Sequence, residues 1–145
     1  MTDFGPAGSL GGTPFNDVAP NQMEIGKLNI RSGLYIDQLQ VIYRNPTNGE
    51  IALGPVHGGN GGQLTVITLN AGEFITEING RTGNFVDSLT LKTNQGRIFS
   101  NLGGDGGLNP FRFHLDLGSG EEIFAFFGRS GQFLDAIGVH TRSRS

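Results

Sequence analysis

Three aspartates each stand four residues after a glycine, in three copies of one phrase: Arg31-Ser32-Gly33-Leu34-Tyr35-Ile36-Asp37, Arg81-Thr82-Gly83-Asn84-Phe85-Val86-Asp87 and Arg129-Ser130-Gly131-Gln132-Phe133-Leu134-Asp135. The copies recur at intervals of 50 and 48 residues, from Gly33 to Gly83 to Gly131, the range of a repeat architecture. An ionised carboxylate only accepts hydrogen bonds. A glycine beside it permits close backbone approach and unusual dihedrals, so main-chain N–H groups can point outward next to the carboxylate. Donors and an acceptor lining one small concavity suit a ligand that both donates and accepts, as sugar hydroxyls do. The competing reading is a turn-forming Asp that accepts N–H bonds from its own loop. In each motif the Asp shares strand parity with apolar neighbours, as Phe85, Asp87, Leu89 and Leu91 show. It is therefore not placed like a solvated carboxylate and needs partners.

Upstream of each Asp motif lies a second glycine element: Gly11-Gly12, then Gly58-Gly59-Asn60-Gly61-Gly62, then Gly103-Gly104-Asp105-Gly106-Gly107. Apolar segments of strand length occupy 25–30, 35–43, 50–53, 64–69, 73–78, 85–92, 97–99, 111–115, 121–127 and 133–140. Turn chemistry separates them, at Asn48-Gly49, Asn70-Ala71-Gly72, Asn79-Gly80, Asn94-Gln95-Gly96 and Gly118-Ser119-Gly120. No window sustains a helical apolar period. This predicts an all-β, antiparallel fold. A hairpin-based sheet of about four strands cannot bury both faces, so three such sheets are expected to pack around a common axis as a three-sided prism. The chain, 1–145, is read as one domain of three units, about 1–54, 55–100 and 101–145, with junctions near Gly54-Pro55 and Asn101-Leu102.

Composition removes several classes of function. The 145 residues contain no Cys, which excludes a disulfide framework and thiolate metal sites. A net charge of −3, with ten basic residues scattered along the chain, gives no footprint for nucleic acid or anionic lipid. No stretch has the length of a membrane span, and Met1 to Gly12 lack the pattern of a signal peptide. A cytoplasmic protein is expected, with release by another route left open. His57, His114 and His140 are isolated in sequence, and no Gly-x-Ser-x-Gly or His-Glu-x-x-His pattern occurs. Calcium β-roll nonapeptides need an Asp where Gln63 and Leu108 stand. No metal, no cofactor and no catalysis are expected.

The arrangement resembles the jacalin-related lectins over essentially the whole chain, most closely at Gly128-Arg129-Ser130-Gly131-Gln132-Phe133-Leu134-Asp135-Ala136-Ile137-Gly138-Val139, which is similar to that family's C-terminal sugar-binding segment. The resemblance implies a β-prism I fold of three Greek-key-like antiparallel sheets with pseudo-threefold symmetry. It also implies that the Asp135 carboxylate accepts bonds from sugar hydroxyls, that the amides of Gln132 and Phe133 donate, and that Gly12 completes the pocket beside Gly131. Corresponding sites would comprise Gly33, Leu34, Tyr35 and Asp37 with the loop at Gly59–Gly62, and Gly83, Asn84, Phe85 and Asp87 with the loop at Gly104–Gly107. The members expected to bind are therefore Gly59 and Gly104 in those loops. The first loop, from Gly8 to Phe15, looks irregular beside the other two. The family's galactose-preferring branch depends on a chain cleavage, whereas this chain is continuous from Met1-Thr2-Asp3, so the resemblance favours mannose or glucose. Tyr35, Phe85 and Phe133 could cover a sugar's apolar face or, as strand aromatics commonly do, join the core. Expected partners are mannose- or glucose-containing glycans, with self-association multiplying the sites. The rival is a non-catalytic interaction scaffold whose three Asp only close turns.

Overall fold

The computed structural model describes residues 3–144. Twelve strands make up its regular structure: β1 (Asp3–Gly8), β2 (Thr13–Asn16), β3 (Glu24–Ser32), β4 (Ile36–Arg44), β5 (Ile51–Gly58), β6 (Gln63–Thr68), β7 (Ile75–Thr82), β8 (Val86–Thr93), β9 (Ile98–Gly103), β10 (Asn109–His114), β11 (Glu121–Ser130) and β12 (Leu134–Ser143). One 3-10 turn, Leu117–Ser119, is the sole helical element among the described residues. The strands form three antiparallel groups of four with one order: β5-β4-β3-β6, β9-β8-β7-β10 and β1-β12-β11-β2. The last two are joined by the single pair Ile75 and Ile123.

Each group is two hairpins. The inner hairpin carries a Gly-to-Asp turn, and its strands are flanked by the two strands of a glycine-loop hairpin. The cuts at Gly54-Pro55 and Asn101-Leu102 fall inside β5 and β9, so the spatial units run differently from the sequence units. The second and third glycine loops each pack on the Asp motif that precedes them, and the last of the three groups is closed by both ends of the chain, β1 on β12 and β2 on β11.

Alternation explains the core. Along β3 and β4, Leu28, Ile30, Leu39, Val41 and Tyr43 point inward and are at most 2% exposed; Ile78, Leu89 and Leu91 do the same on β7 and β8, and Phe126, Ile137 and Val139 on β11 and β12. The inner strands β4, β8 and β12 meet one another around the axis.

Charges occupy the outer faces in cross-strand sets. Glu77 on β7 lies opposite Lys92 of β8 and His114 of β10. Its carboxylate, 2% exposed, takes Arg112 at 2.9 Å, His114 Nδ1 at 2.8 Å and the Asn79 amide at 2.7 Å. Burial alone would raise its pKa, but the hydrogen bonds from Arg112, Asn79 and His114 and the charge of Lys92 outweigh it and bring the value down to about 2. A carboxylate held below its unfolded value of 4.5 stabilises the fold above that pH and loses the contribution as pH falls toward about 2. Urea unfolding should therefore give a lower stability at pH 3 than at pH 6, with Glu77→Gln costing about 2–3 kcal/mol at pH 6 and flattening that part of the profile.

Candidate functional site

Each candidate Asp is the second residue of an inner strand, directly after its turn. The turn is tight because the glycine N–H donates to the carbonyl two residues on: Gly33 to Tyr35, Gly83 to Phe85 and Gly131 to Phe133, all at 2.9 Å. That closure leaves the N–H groups of Leu34 and Tyr35, Asn84 and Phe85, and Gln132 and Phe133 without a protein acceptor among the described residues.

Over each turn lies a five-residue loop: Gly8-Ser9-Leu10-Gly11-Gly12 at Asp135, Gly58–Gly62 at Asp37 and Gly103–Gly107 at Asp87. The second residue of each loop donates its N–H to the main-chain carbonyl of the Asp, Ser9 to Asp135 at 3.0 Å, Gly59 to Asp37 at 2.9 Å and Gly104 to Asp87 at 2.9 Å. The last two residues lie against the carboxylate itself. A Cβ at Gly11 would stand 2.6 Å from Asp135 Oδ2, at Gly61 2.8 Å from Asp37 Oδ2 and at Gly106 2.8 Å from Asp87 Oδ2. At Gly12, Gly62 and Gly107 it would stand 2.6, 2.9 and 2.9 Å from the matching Oδ1, and those residues hold φ of +68°, +71° and +86°. Space and dihedral both require glycine there. An arginine from the strand before each turn fixes the loop from below: Arg31 Nε to the Gly61 carbonyl at 3.1 Å, Arg81 Nε to Gly107 at 2.8 Å, and Arg129 Nε to Gly11 at 2.9 Å.

The cradle is electrostatically unfinished. Asp37, Asp87 and Asp135 are 7%, 5% and 5% exposed. The Oδ1 atoms of Asp87 and Asp135 are buried with no hydrogen-bond partner. Buried acceptors are ordinarily paired, so an orphan of this kind asks for a donor. Burial raises the pKa of all three, with Arg31, Arg129 and, at Asp87, the Gly83 amide and Arg81 acting against it.

Around each carboxylate the structure brings together the turn glycine, the two residues after it and two loop glycines. Gly12 holds the expected place. Gly59 and Gly104 do not: they occupy the second loop position, bonded to the Asp backbone, and Gly62 and Gly107 stand where Gly12 stands. Aligning the loops as Gly-x-x-Gly-Gly carries that signal in the sequence. The first loop is also more regular than it looked, since Gly8, Gly58 and Gly103 all have positive φ, as do the three last residues. Tyr35, Phe85 and Phe133 are half-buried and lie together. Their rings pack on one another, with centroids 4.9, 5.2 and 4.7 Å apart, and gather the three turns at one end of the prism.

Sequence reading missed that the sites touch. The Gly59 N–H also lies 3.0 Å from the Gln132 carbonyl, Ser9 Oγ donates to the Asn84 carbonyl at 2.7 Å, and a Cβ at Gly104 would meet the Leu34 carbonyl at 2.6 Å. Each loop thus rests on the turn of a neighbouring site. The histidines, isolated in sequence, are paired in space: His57 with Asp17 at 2.8 Å, His114 with Glu77 at 2.8 Å and His140 with Asp3 at 2.9 Å. Among the described residues no group of three or more His, Asp or Glu is arranged to hold a metal.

A three-sheet prism presenting repeated donor–acceptor cradles at one end is the architecture of a lectin domain. Residues 4–140 match the family model of the jacalin-like lectin domain, and the chain belongs to that family. It is 36% identical to horcolin of Hordeum vulgare over 142 residues, covering 94% of each chain. Its fold superposes with a TM-score of 0.84 on an artocarpin–mannotriose complex, at 31% identity and 97% coverage of both chains, and with 0.83 on a mannose-binding jacalin-related lectin from Ananas comosus, at 32% identity and 98% and 97% coverage.

The crowding at the loop glycines can be separated from their dihedral cost. Gly49 has φ +75° with nothing within 4 Å of a new Cβ, so Gly49→Ala should cost about 1 kcal/mol and leave all three cradles intact. Gly62→Ala adds the clash with Asp37, and should cost more in thermal unfolding and remove one ligand site in titration.

Proposed function

We propose that the chain is a non-catalytic, mannose- or glucose-specific lectin with three sugar sites, one at each of Asp37, Asp87 and Asp135. The observation that carries this reading is the buried, partnerless Oδ1 of Asp87 and Asp135 beside free turn and loop amides. A vicinal diol or a ring oxygen with its neighbouring hydroxymethyl satisfies such a cradle: hydroxyls donate to the carboxylate while oxygen lone pairs accept from the amides of Gln132, Phe133 and Gly12 and their counterparts. The choice of mannose is supported by the sugar-bound and sugar-named structures to which the fold is similar. Against catalysis, glycoside hydrolysis needs two carboxylates within about 10 Å across one bond, and the cradles at Asp37 and Asp135, whose loops carry no acidic residue, supply one each.

Four or five hydrogen bonds, each netting about 1 kcal/mol with those to the carboxylate somewhat stronger, amount to about 5 kcal/mol or a little more and a millimolar to sub-millimolar dissociation constant per site. Three sites on one rigid end raise avidity for a branched glycan by orders of magnitude with no new contact.

Calorimetric titration with methyl α-mannoside should give about three sugars per chain, and methyl α-galactoside little heat. Asp37→Asn, Asp87→Asn and Asp135→Asn should each subtract one site. Because burial disfavours the ionised form, the triple variant should be at least as stable as the parent at pH 7 while losing binding. Affinity should fall with acidification around a midpoint above the ordinary Asp value of 3.8, since protonation removes the acceptor. Retained binding in the triple variant, or no heat with either sugar, returns the chain to the interaction-scaffold reading.

A further inference from the structure

The contacts between neighbouring cradles close into a ring. In each loop the second residue lies between two carbonyls, that of its own Asp and that of the residue after the turn glycine in the next site. Ser9 stands between Asp135 and Asn84, Gly59 between Asp37 and Gln132, and Gly104 between Asp87 and Leu34. The Asp135 loop thus touches the Asp87 turn, the Asp87 loop the Asp37 turn, and the Asp37 loop the Asp135 turn.

Each receiving carbonyl shares a peptide unit with an amide of the cradle. The Asn84 carbonyl and the Phe85 N–H belong to one such unit, as do those of Gln132 and Phe133 and of Leu34 and Tyr35. These peptides are trans, so the carbonyl and the N–H point to opposite sides. The neighbouring loop meets one end, and the other end is the N–H left free beside its own Asp. A donor on the carbonyl therefore acts on that N–H in two ways. It fixes the plane of the peptide, and it polarises the unit, which makes the N–H a stronger donor.

The three contacts deliver different things. At Gln132 the donor is the Gly59 N–H at 3.0 Å, shared with the Asp37 carbonyl at 2.9 Å. At Leu34 no N–H or O–H arrives among the described residues, because the Gly104 N–H goes to the Asp87 carbonyl. At Asn84 the donor is a side chain, Ser9 Oγ at 2.7 Å, and that hydroxyl in turn accepts the Gly11 N–H at 3.2 Å. Gly11 is the glycine packed against Asp135 Oδ2. A run of hydrogen bonds thus leads from the loop at Asp135, through Ser9 Oγ and the Asn84-Phe85 peptide, to an amide beside Asp87. The other two loops have glycine where Ser9 stands, so this link has no counterpart in them.

We infer that Ser9 is a positioning residue for the neighbouring cradle, its hydroxyl orienting and polarising the Phe85 amide that serves Asp87, an inference that rests on the reading of the cradles as sugar sites. The affinity of the Asp87 site is then set in part from the loop of the Asp135 site. The Asp37 site, whose turn carbonyl receives no such donor, is the internal reference.

Calorimetric titration of single-site chains tests this. In a chain where Asp37→Asn and Asp135→Asn leave only the Asp87 site, adding Ser9→Ala should weaken methyl α-mannoside binding by roughly three- to tenfold. Ser9→Thr keeps the hydroxyl and should restore it. In a chain that retains only the Asp37 site, Ser9→Ala should leave the affinity unchanged, whereas a merely structural role for Ser9 would not separate the two sites. In the ligand-free parent chain, NMR should show the Phe85 amide proton moving upfield on Ser9→Ala and returning in Ser9→Thr, with the Tyr35 amide in place. An unchanged affinity at the Asp87 site, an equal loss at the Asp37 site, or an unmoved Phe85 amide overturns the inference. A parent chain that gives no heat with the sugar is instead the failure of the sugar reading, and the amide shift, measured without ligand, keeps the two failures apart.

Discussion

A four-stranded sheet with one apolar face cannot be stable alone, and everything else in this protein follows from three of them sharing one core. Leu39, Leu89 and Ile137 are buried in that core, on inner strands that contact one another. Once the sheets close on one another, the turns that begin β4, β8 and β12 are carried to a single end, where Tyr35, Phe85 and Phe133 pack as a small aromatic knot. The sites are therefore clustered as a by-product of burying the core. The aromatic side chains of the three motifs hold the turns together, which leaves one carboxylate and a set of backbone amides lining each cradle.

That division explains the composition. Recognition by backbone needs the chain to come close, and the loops do so by having no side chain at the two positions nearest each carboxylate. It also explains why the carboxylates are poorly solvated yet incompletely bonded. The arginine of each motif, which reads in sequence like the natural partner of the Asp, spends its hydrogen bonds on loop carbonyls. The Asp charge is thus left without an arginine hydrogen bond, at some cost in folding free energy.

The fold was legible because repetition, alternation and turn chemistry all pointed one way. The strand parity of Asp87 with Leu89 and Leu91 anticipated its burial, and the Gly-x-x-x-Asp spacing located the turns. What escaped was tertiary. Residues 3–8, Asp-Phe-Gly-Pro-Ala-Gly, lie outside the apolar segments that signal strands, yet become β1 because β12 offers a ladder that overrides the low β propensity of Gly and Pro. Thr13–Asn16 is too short for a periodic signal and becomes β2 by pairing with β11. The exact loop glycines were missed because Gly59 and Gly62 are alike as letters, and only the carbonyl of Asp37 and the carboxylate of Asp37 tell them apart. The contacts between neighbouring sites have no sequence signal, being between main-chain atoms far apart in the chain.

The sheet built from β1, β2, β11 and β12 gives this molecule a seam. Thr13 is in register with Ser130, and Asp3 with His140. β1 and β2 pair only with strands more than a hundred residues further along the chain, so this sheet closes over the longest sequence separation in the fold. The other two sheets are contiguous in sequence and close over far shorter loops. The polypeptide is thus a ring in space, opened within one of its three sides, and that side carries the largest loop-closure entropy.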